Sequence, residues 1–420
     1  MGSVLRSTWP LFVGITFALL SHGLQVPLVP LRAFDEGFDT SFTGVIMAGF
    51  YAGILLGASL TPRLIQHVGH TKVFAALASI GSGAPLLYLL VIDPVAWLVI
   101  RTVTGLCFGG IYVISETWLN DRCTNETRGR VLNLYVMIMM VSAGGGALLL
   151  NLADPQGYQL FVIGSVLISI GIVPLLLSAK PVPSYQAPKR LGLVALYRKA
   201  PLGMGAFAIW GLADSALFGT AAIYADKIGL TTAEISILMV VIYFGALIFM
   251  WPIGYLSDRL NRPRFLVAVS LLSALVAVLA AVTPADLELV LYPLTACFAG
   301  LTVAHYGLCL AVANDQLEPN EMVAAGATLF VAYGIGTLFG PILVTELMEA
   351  WRAAAFFWFM GAIHLVIALY AVAVIGSRAI LPPRRQPAAV VSPLTGQLAT
   401  EMALETARRD RKLRGATQTE

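Results

Sequence analysis

The chain has 420 residues, 58% of them hydrophobic and 12% charged, with a mean hydropathy of +0.83. Soluble globular chains carry roughly 25% charged residues, so this composition excludes a soluble domain and implies an integral membrane protein. The net charge of +3 says little until the charges are placed on loops.

A membrane helix needs about 20 predominantly apolar residues. The first such run, 9–31, is too long for a cleavable signal peptide and holds His22, Gln25, Pro27 and Pro30. Further runs follow at 41–62, 73–92, 95–118, 131–152 and 158–178, then at 201–224, 233–255, 265–283, 289–313, 324–347 and 354–376. They are continuous and rich in Gly and Ala rather than alternating, which predicts twelve spanning helices and excludes a spanning sheet. The fold class is an all-α membrane protein.

The longest polar connection, 179–200, divides six spans from six. We therefore expect an N-terminal six-helix bundle over 1–178, a cytoplasmic linker over 179–200 and a C-terminal six-helix bundle over 201–376. A basic cytoplasmic tail follows over 377–420. Of the 26 Lys and Arg residues, 22 fall on the side of the N-terminus. Only Arg32, Lys227 and Arg352 fall on the other side, and Arg101 stands within a span. This asymmetry places both termini in the cytoplasm. The four cysteines, Cys107, Cys123, Cys297 and Cys309, form no CxxC pair, so neither a disulfide framework nor a metal site is expected.

The two halves carry traces of a duplication. Asn120–Asp121 and Asn314–Asp315 follow spans 4 and 10, while Leu60 and Arg63 correspond to Leu256 and Arg259 after spans 2 and 8. The two loops give nearly the same offset, as a duplicated six-helix unit would leave.

These loops resemble those of the major facilitator superfamily. Gly254-x-Leu256-Ser257-Asp258-Arg259-x-x-Arg262-x-Arg264 is similar to its loop signature. The first-half loop keeps Arg63, Gly69 and Lys72, with Pro62 in place of the acidic residue. Arg101-x3-Gly105-x3-Gly109 resembles the span 4 motif. The stretch "GIGTLFGP", with Gly336 and Gly340, resembles the antiporter motif, but it stands in span 11 rather than span 5. "SETWLND", "PRLIQHVGH" and "YGIGTLFGP" are most similar to the YcaD-like bacterial branch. The resemblance covers 9–376. It implies two pseudo-symmetric six-helix bundles around a cavity lined mainly by spans 1, 4, 7 and 10, opening alternately to each side of a bacterial inner membrane.

Ionisable residues within spans are few, and a charge facing lipid is costly. His22, Arg101, Asp214 and His305 lie on spans 1, 4, 7 and 10, those the resemblance assigns to the cavity. His22 and Asp214 are 192 residues apart and both lie on the order of 20 Å from the cytoplasmic side at 1.5 Å per residue. A carboxylate in a poorly hydrated site suits reversible protonation, which makes Asp214 the candidate proton carrier; the alternative is a structural cap near Gly211. His22, with Gln25 one turn on, offers a polar contact for substrate or water. Trp210 stands one turn from Asp214. His305 faces Cys309 one turn on, and His364 reads as structural. Arg101 is either a cavity or proton-path residue, or a cation that snorkels about 9 Å to the outer surface. Gly105 and Gly109 below it permit close helix approach.

Glu116 lies roughly 22 Å below Arg101 on the same helix. The resemblance implies that Glu116, Asp121, Asp258, Arg63, Arg259 and Arg262 hold an inner gate. No Walker A motif, HExxH or Ser/His/Asp constellation is present, and no basic surface with interleaved aromatics suggests nucleic acid. The expectation is a monomeric secondary transporter, not an enzyme, with no cofactor. Its partners are a small solute, protons and the bilayer. The alternatives are a passive facilitator, or a scaffold or sensor acting through its basic tail.

Overall fold

The computed structural model describes residues 2–123, 127–178, 191–318 and 321–377. The linker from 179 to 190 and the tail from 378 onward lie outside the described residues. The first half consists of α1 (Gly2–Asp35), α2 (Thr40–Val68), α3 (His70–Leu90), α4 (Pro94–Arg122), α5 (Arg128–Leu148) and α6 (Gln159–Leu177). A short α7 (Leu193–Lys199) precedes the second half: α8 (Pro201–Lys227), α9 (Thr232–Arg259), α10 (Arg262–Val282), α11 (Glu288–Asn314), α12 (Met322–Ala350) and α13 (Ala355–Ser377). Among the described residues, twelve helices are long and apolar enough to cross a bilayer.

Local signals explain the helix ends. Asp39 caps α2 by accepting from the Phe42 amide, and Asp93 caps α4 with Pro94 in its first turn. Thr231 and Glu234 form a capping box at α9, and Asn261 caps α10. Gly37, Gly69 and Gly229 take positive φ between helices, a conformation that a side chain would strain. Several helices run a turn beyond their expected apolar runs; α4 ends at Arg122 rather than near 118, and α9 at Arg259 rather than near 255. Polar last turns need no lipid, and the backbone ladder continues through them. Span 5 closes in a 3₁₀ turn, Leu149–Leu152.

Glycines set the packing within each half. A Cβ on Gly105 or Gly109 would land on the backbone of Phe50 or Ile54, so α4 sits directly on α2. In the second half, Gly336 and Gly340 bring α12 onto the backbone of α8 at Ala208 and Leu212. The halves meet along three seams: α2 with α12, α5 with α9, and α1 with α8. The result is two six-helix bundles facing each other across a cleft. The linker helix α7 was not legible as a helix. It is held by an ion pair from Lys199 to Glu321, and Thr328 donates to the carbonyl of Leu191 beside it.

Candidate functional site

A cavity lies between the halves, near the middle of the spans. The first half supplies Leu19 and His22 from α1, Phe50, Tyr51 and Ile54 from α2, Tyr112 from α4, and Met139, Met140 and Ala143 from α5. Trp210, Asp214 and Phe218 come from α8, Tyr243 from α9, Val303 and Tyr306 from α11, and Tyr333 from α12. Spans 2, 5, 8 and 11 thus contribute to the wall alongside spans 1, 4, 7 and 10. This corrects the narrower lining expected from the sequence. The seam helices must border the cleft because they are the ones that close it.

Asp214 sits at the midpoint of α8 and is 8% exposed. The Tyr333 hydroxyl donates to its Oδ2 at 2.7 Å. Among the described residues no Lys, Arg or His forms an ion pair with it. Trp210, one turn before, stacks on Phe207 and Tyr333, and its indole N–H donates to the Thr302 carbonyl at 2.7 Å. Asp214 is therefore the charged group of the cavity wall, set among rings whose polar tips are largely engaged.

His22 faces the same cavity from α1. Its ring stacks on Phe50 at 4.6 Å between centroids and lies 5.1 Å from Phe108. His22 and Asp214, 192 residues apart, therefore occupy opposite walls of one cavity. Gln25 does not line it. Its side chain is buried and donates to Ser21, which donates in turn to the Gly164 carbonyl of α6.

Arg101 does not snorkel. It is 1% exposed, and its guanidinium lies 4.7 Å from the centroid of the Phe50 ring. It stands in the layer behind the cavity wall, within electrostatic reach of His22, Tyr51, Tyr88 and Tyr243. Its Nε and Nη1 have no hydrogen-bond acceptor among the described residues.

His305 lies away from the cavity wall, in the core of the second half. Its Nε2 is 2.9 Å from the Ser270 hydroxyl and its Nδ1 2.8 Å from the Leu301 carbonyl. Its ring meets His364 edge-on at 4.9 Å. His364 in turn reaches the Met360 carbonyl and, at 3.4 Å, the Thr302 hydroxyl. The expected contact toward Cys309 is replaced by this pair, because α10 and α13 press on that face of α11. Both rings are fully buried and hydrogen-bonded, the arrangement of a structural polar cluster.

The residues expected at an inner gate gather at the end of the molecule that holds the start of α1. Arg262 bridges Asp258, at 2.9 Å, and Asp315. Asp315 joins this group although it was not among the candidates; its match to Asp121 in the repeat was the available signal. Burial pushes the Asp315 carboxyl above its ordinary value, against the pull of Arg262. Arg259 lies over the Tyr255 ring at 4.0 Å. Asp121 approaches Arg122 at 3.9 Å, and Arg63 is exposed about a turn and a half before the end of α2. Glu116 is 0% exposed and lies within electrostatic reach of Tyr135 in its own half and Tyr306 in the other.

Hydrogen bonds that join the halves are seen at the middle and at the other end. Tyr51 donates to the Ser215 carbonyl at 3.2 Å near the middle. Toward the end away from Gly2, Asn151 donates to Ser236 at 2.7 Å and Thr40 bonds the Glu349 carboxylate. There Thr345 of α12 also fills the space beside Gly44 of α2. Among the described residues, the ion pairs at the Gly2 end each join groups of a single half.

Comparison with known proteins agrees with this architecture. The chain is 27% identical to "Uncharacterized MFS-type transporter YcaD" of Escherichia fergusonii over 367 residues, 87% of this chain and 94% of that protein. It is 26% identical to the same-named protein of Escherichia coli O7:K1 over 372 residues, 88% and 96% of the two chains. Among solved structures, the nucleoside transporter NupG superposes with a TM-score of 0.73 at 16% identity, covering 88% of this chain and 98% of that one. An auto-inhibited POT family peptide transporter superposes with a TM-score of 0.70 at 13% identity, covering 92% and 99%. These likenesses establish the fold. The Major Facilitator Superfamily model matches residues 11–304 and 204–414. With twelve spans in two facing bundles and a cavity between them, the chain belongs to the Major Facilitator Superfamily and is a membrane transporter of a small solute.

Proposed function

We propose that the protein is a proton-coupled secondary transporter of a bacterial inner membrane, with both termini in the cytoplasm. Its halves rock about the central cavity, and Asp214 carries the proton. The observation that carries this reading is the placement of Asp214: a carboxylate on the cavity wall, bonded by Tyr333, with no cationic partner among the described residues. A proton is the smallest counter-charge such a group can take, and the cavity gives it a route.

The seam supports the rocking motion. Among the described residues, hydrogen bonds join the halves at the middle and at the end opposite the start of α1. With the N-terminus inside, that end is the outer one, and the conformation is inward-facing. In the opposite state the Asp258–Arg262–Asp315 group and Glu116 close the inner end, and the outer contacts part.

The test is solute accumulation by purified protein in liposomes carrying an imposed pH gradient, with solutes chosen by ligand-induced thermal stabilisation. Wild-type protein accumulates the solute; Asp214→Asn only equilibrates it, while counterflow exchange survives. Undiminished accumulation by Asp214→Asn refutes the role of this carboxylate. Equilibration without accumulation by the wild type identifies a passive facilitator.

A further inference from the structure

Arg101 is a buried cation with no counter-ion among the described residues. Two of its nitrogens, Nε and Nη1, have no acceptor, and no ion pair among the described residues includes it. The groups within its electrostatic reach are His22, Tyr51, Tyr112, Tyr243 and Tyr88, whose neutral hydroxyl approaches it within hydrogen-bonding reach, together with the Phe50 face. None is an acid at neutral pH. Leaving a desolvated guanidinium in this state is costly, and a carboxylate or similar anion satisfies it better than any neutral group. Four of those neighbours, His22, Tyr51, Tyr112 and Tyr243, line the cavity. The missing anion therefore has an approach from the cavity side.

The rest of the wall narrows the choice of solute. Among the described residues it holds no Asn, Gln, Ser or Thr side chain, and the polar tips of Tyr51, Trp210 and Tyr333 are bonded to protein groups. A sugar or other polyol would lose its hydration and find few partners. Flat faces are abundant, from Phe50, Trp210, Tyr243, Tyr306 and Tyr333, and these suit an aromatic or flat apolar body. An organic cation could pair with Asp214 only in place of the proton assigned to that carboxylate, and it would face Arg101 through a single layer of rings.

We propose that Arg101 receives the anionic group of the transported solute, and that the solute is a monovalent organic acid with an aromatic or flat apolar body. The acid group displaces the Phe50 ring from the guanidinium and takes the free N–H groups as a fork. This assignment rests on the transport reading above only in leaving Asp214 to the proton. The two opposite charges then neutralise the solute and the proton separately, at positions that both influence Tyr51 and Tyr243.

The experiment measures binding, with no gradient, to purified full-length protein in detergent. Three probes share one ring system: 1-naphthoate, its neutral amide 1-naphthamide, and the cation 1-naphthylmethylammonium. Wild-type protein is expected to bind naphthoate at least tenfold more tightly than either of the others. Arg101→Lys keeps the preference but weakens naphthoate about tenfold, because an ammonium cannot form the fork. Arg101→Gln abolishes the preference. Should Arg101→Gln fail to elute as a single folded species, the wild-type series and Arg101→Lys still decide. Tightest binding of the ammonium, no discrimination by charge, no binding of any probe, or a preference untouched in Arg101→Gln each overturns the proposal. Asp214→Asn should keep the naphthoate preference. If the preference holds while Asp214→Asn still accumulates solute under a pH gradient, the coupling role of Asp214 fails and the acid-binding role of Arg101 stands.

Discussion

The two halves face one cavity with different chemistry. The first half places its cation behind the wall: Arg101 is covered by the Phe50 ring, and the exposed polar group is His22, stacked on that same ring. The second half places its charge in the wall itself: Asp214 lines the cavity and is held by Tyr333. His22 and Asp214 stand on opposite walls of the cavity, yet one is an imidazole packed among aromatics and the other a carboxylate on a hydroxyl. The duplicated scaffold persists in the helices and glycine contacts, while the groups at matching depths have diverged. A symmetric frame thus carries an asymmetric site, with the anionic group on one wall and the cationic one on the other.

The sharpest way to break this comparison is to move the carboxylate. Asp214→Asn is expected to abolish gradient-driven accumulation, and adding His22→Asp should not restore it, because position 22 has the Phe50 stack and no hydroxyl equivalent to Tyr333. Restored accumulation in the double variant, measured in liposomes, would show that the two walls are interchangeable. The shared scaffold is tested next. Gly105→Leu pushes a side chain onto the Phe50 backbone and should cost about 3 kcal/mol or more of stability. Gly340→Leu should do the same in the second half, against Leu212 and Ser215. Similar losses of thermal stability in detergent would confirm that both halves rely on one packing device.

A smaller effect probes the second wall alone. Tyr333→Phe removes the hydrogen bond to Asp214, worth on the order of 1.5 kcal/mol for a bond to a charged group. Transport should fall about tenfold with coupling intact, read as initial rate against the solute-to-proton ratio. Least of all, Glu321→Gln removes the exposed pair with Lys199, a loss below about 1 kcal/mol. The hydrogen bond from Lys199 holds the Glu321 carboxyl below its ordinary value. Its contribution is therefore present above the usual glutamate range and lost as pH falls through the lowered value. A difference in melting temperature between wild type and Glu321→Gln that shrinks on acidification would confirm the sign.

Much of the frame was legible because membrane helices announce themselves by continuous apolar length. Asp214 and Arg101 stood out for the converse reason, as charges inside such runs. Partners were not legible. Tyr333 lies 119 residues from Asp214, and nothing in the spacing along α12 says which face meets α8. His305 was placed at the cavity because its helix lines it, but residues on the far face of a lining helix point into the bundle. Its true neighbours, Ser270 and His364, come from two other spans. The helix α7 was missed because seven residues give no usable period.

The bonds across the seam have a thermodynamic consequence. Each half is locked internally by backbone-to-backbone helix contacts, whereas the halves are joined, among the described residues, by side-chain hydrogen bonds at the middle and one end. An ordinary hydrogen bond contributes about 1 kcal/mol net. Shifting a two-state equilibrium from 1:99 to 99:1 needs about 5.5 kcal/mol of differential affinity. A solute bound at micromolar strength brings about 8 kcal/mol. In the proposed cycle only the part of that affinity that differs between the two faces sets which one is open, so a solute bound equally well from both sides leaves the balance unchanged.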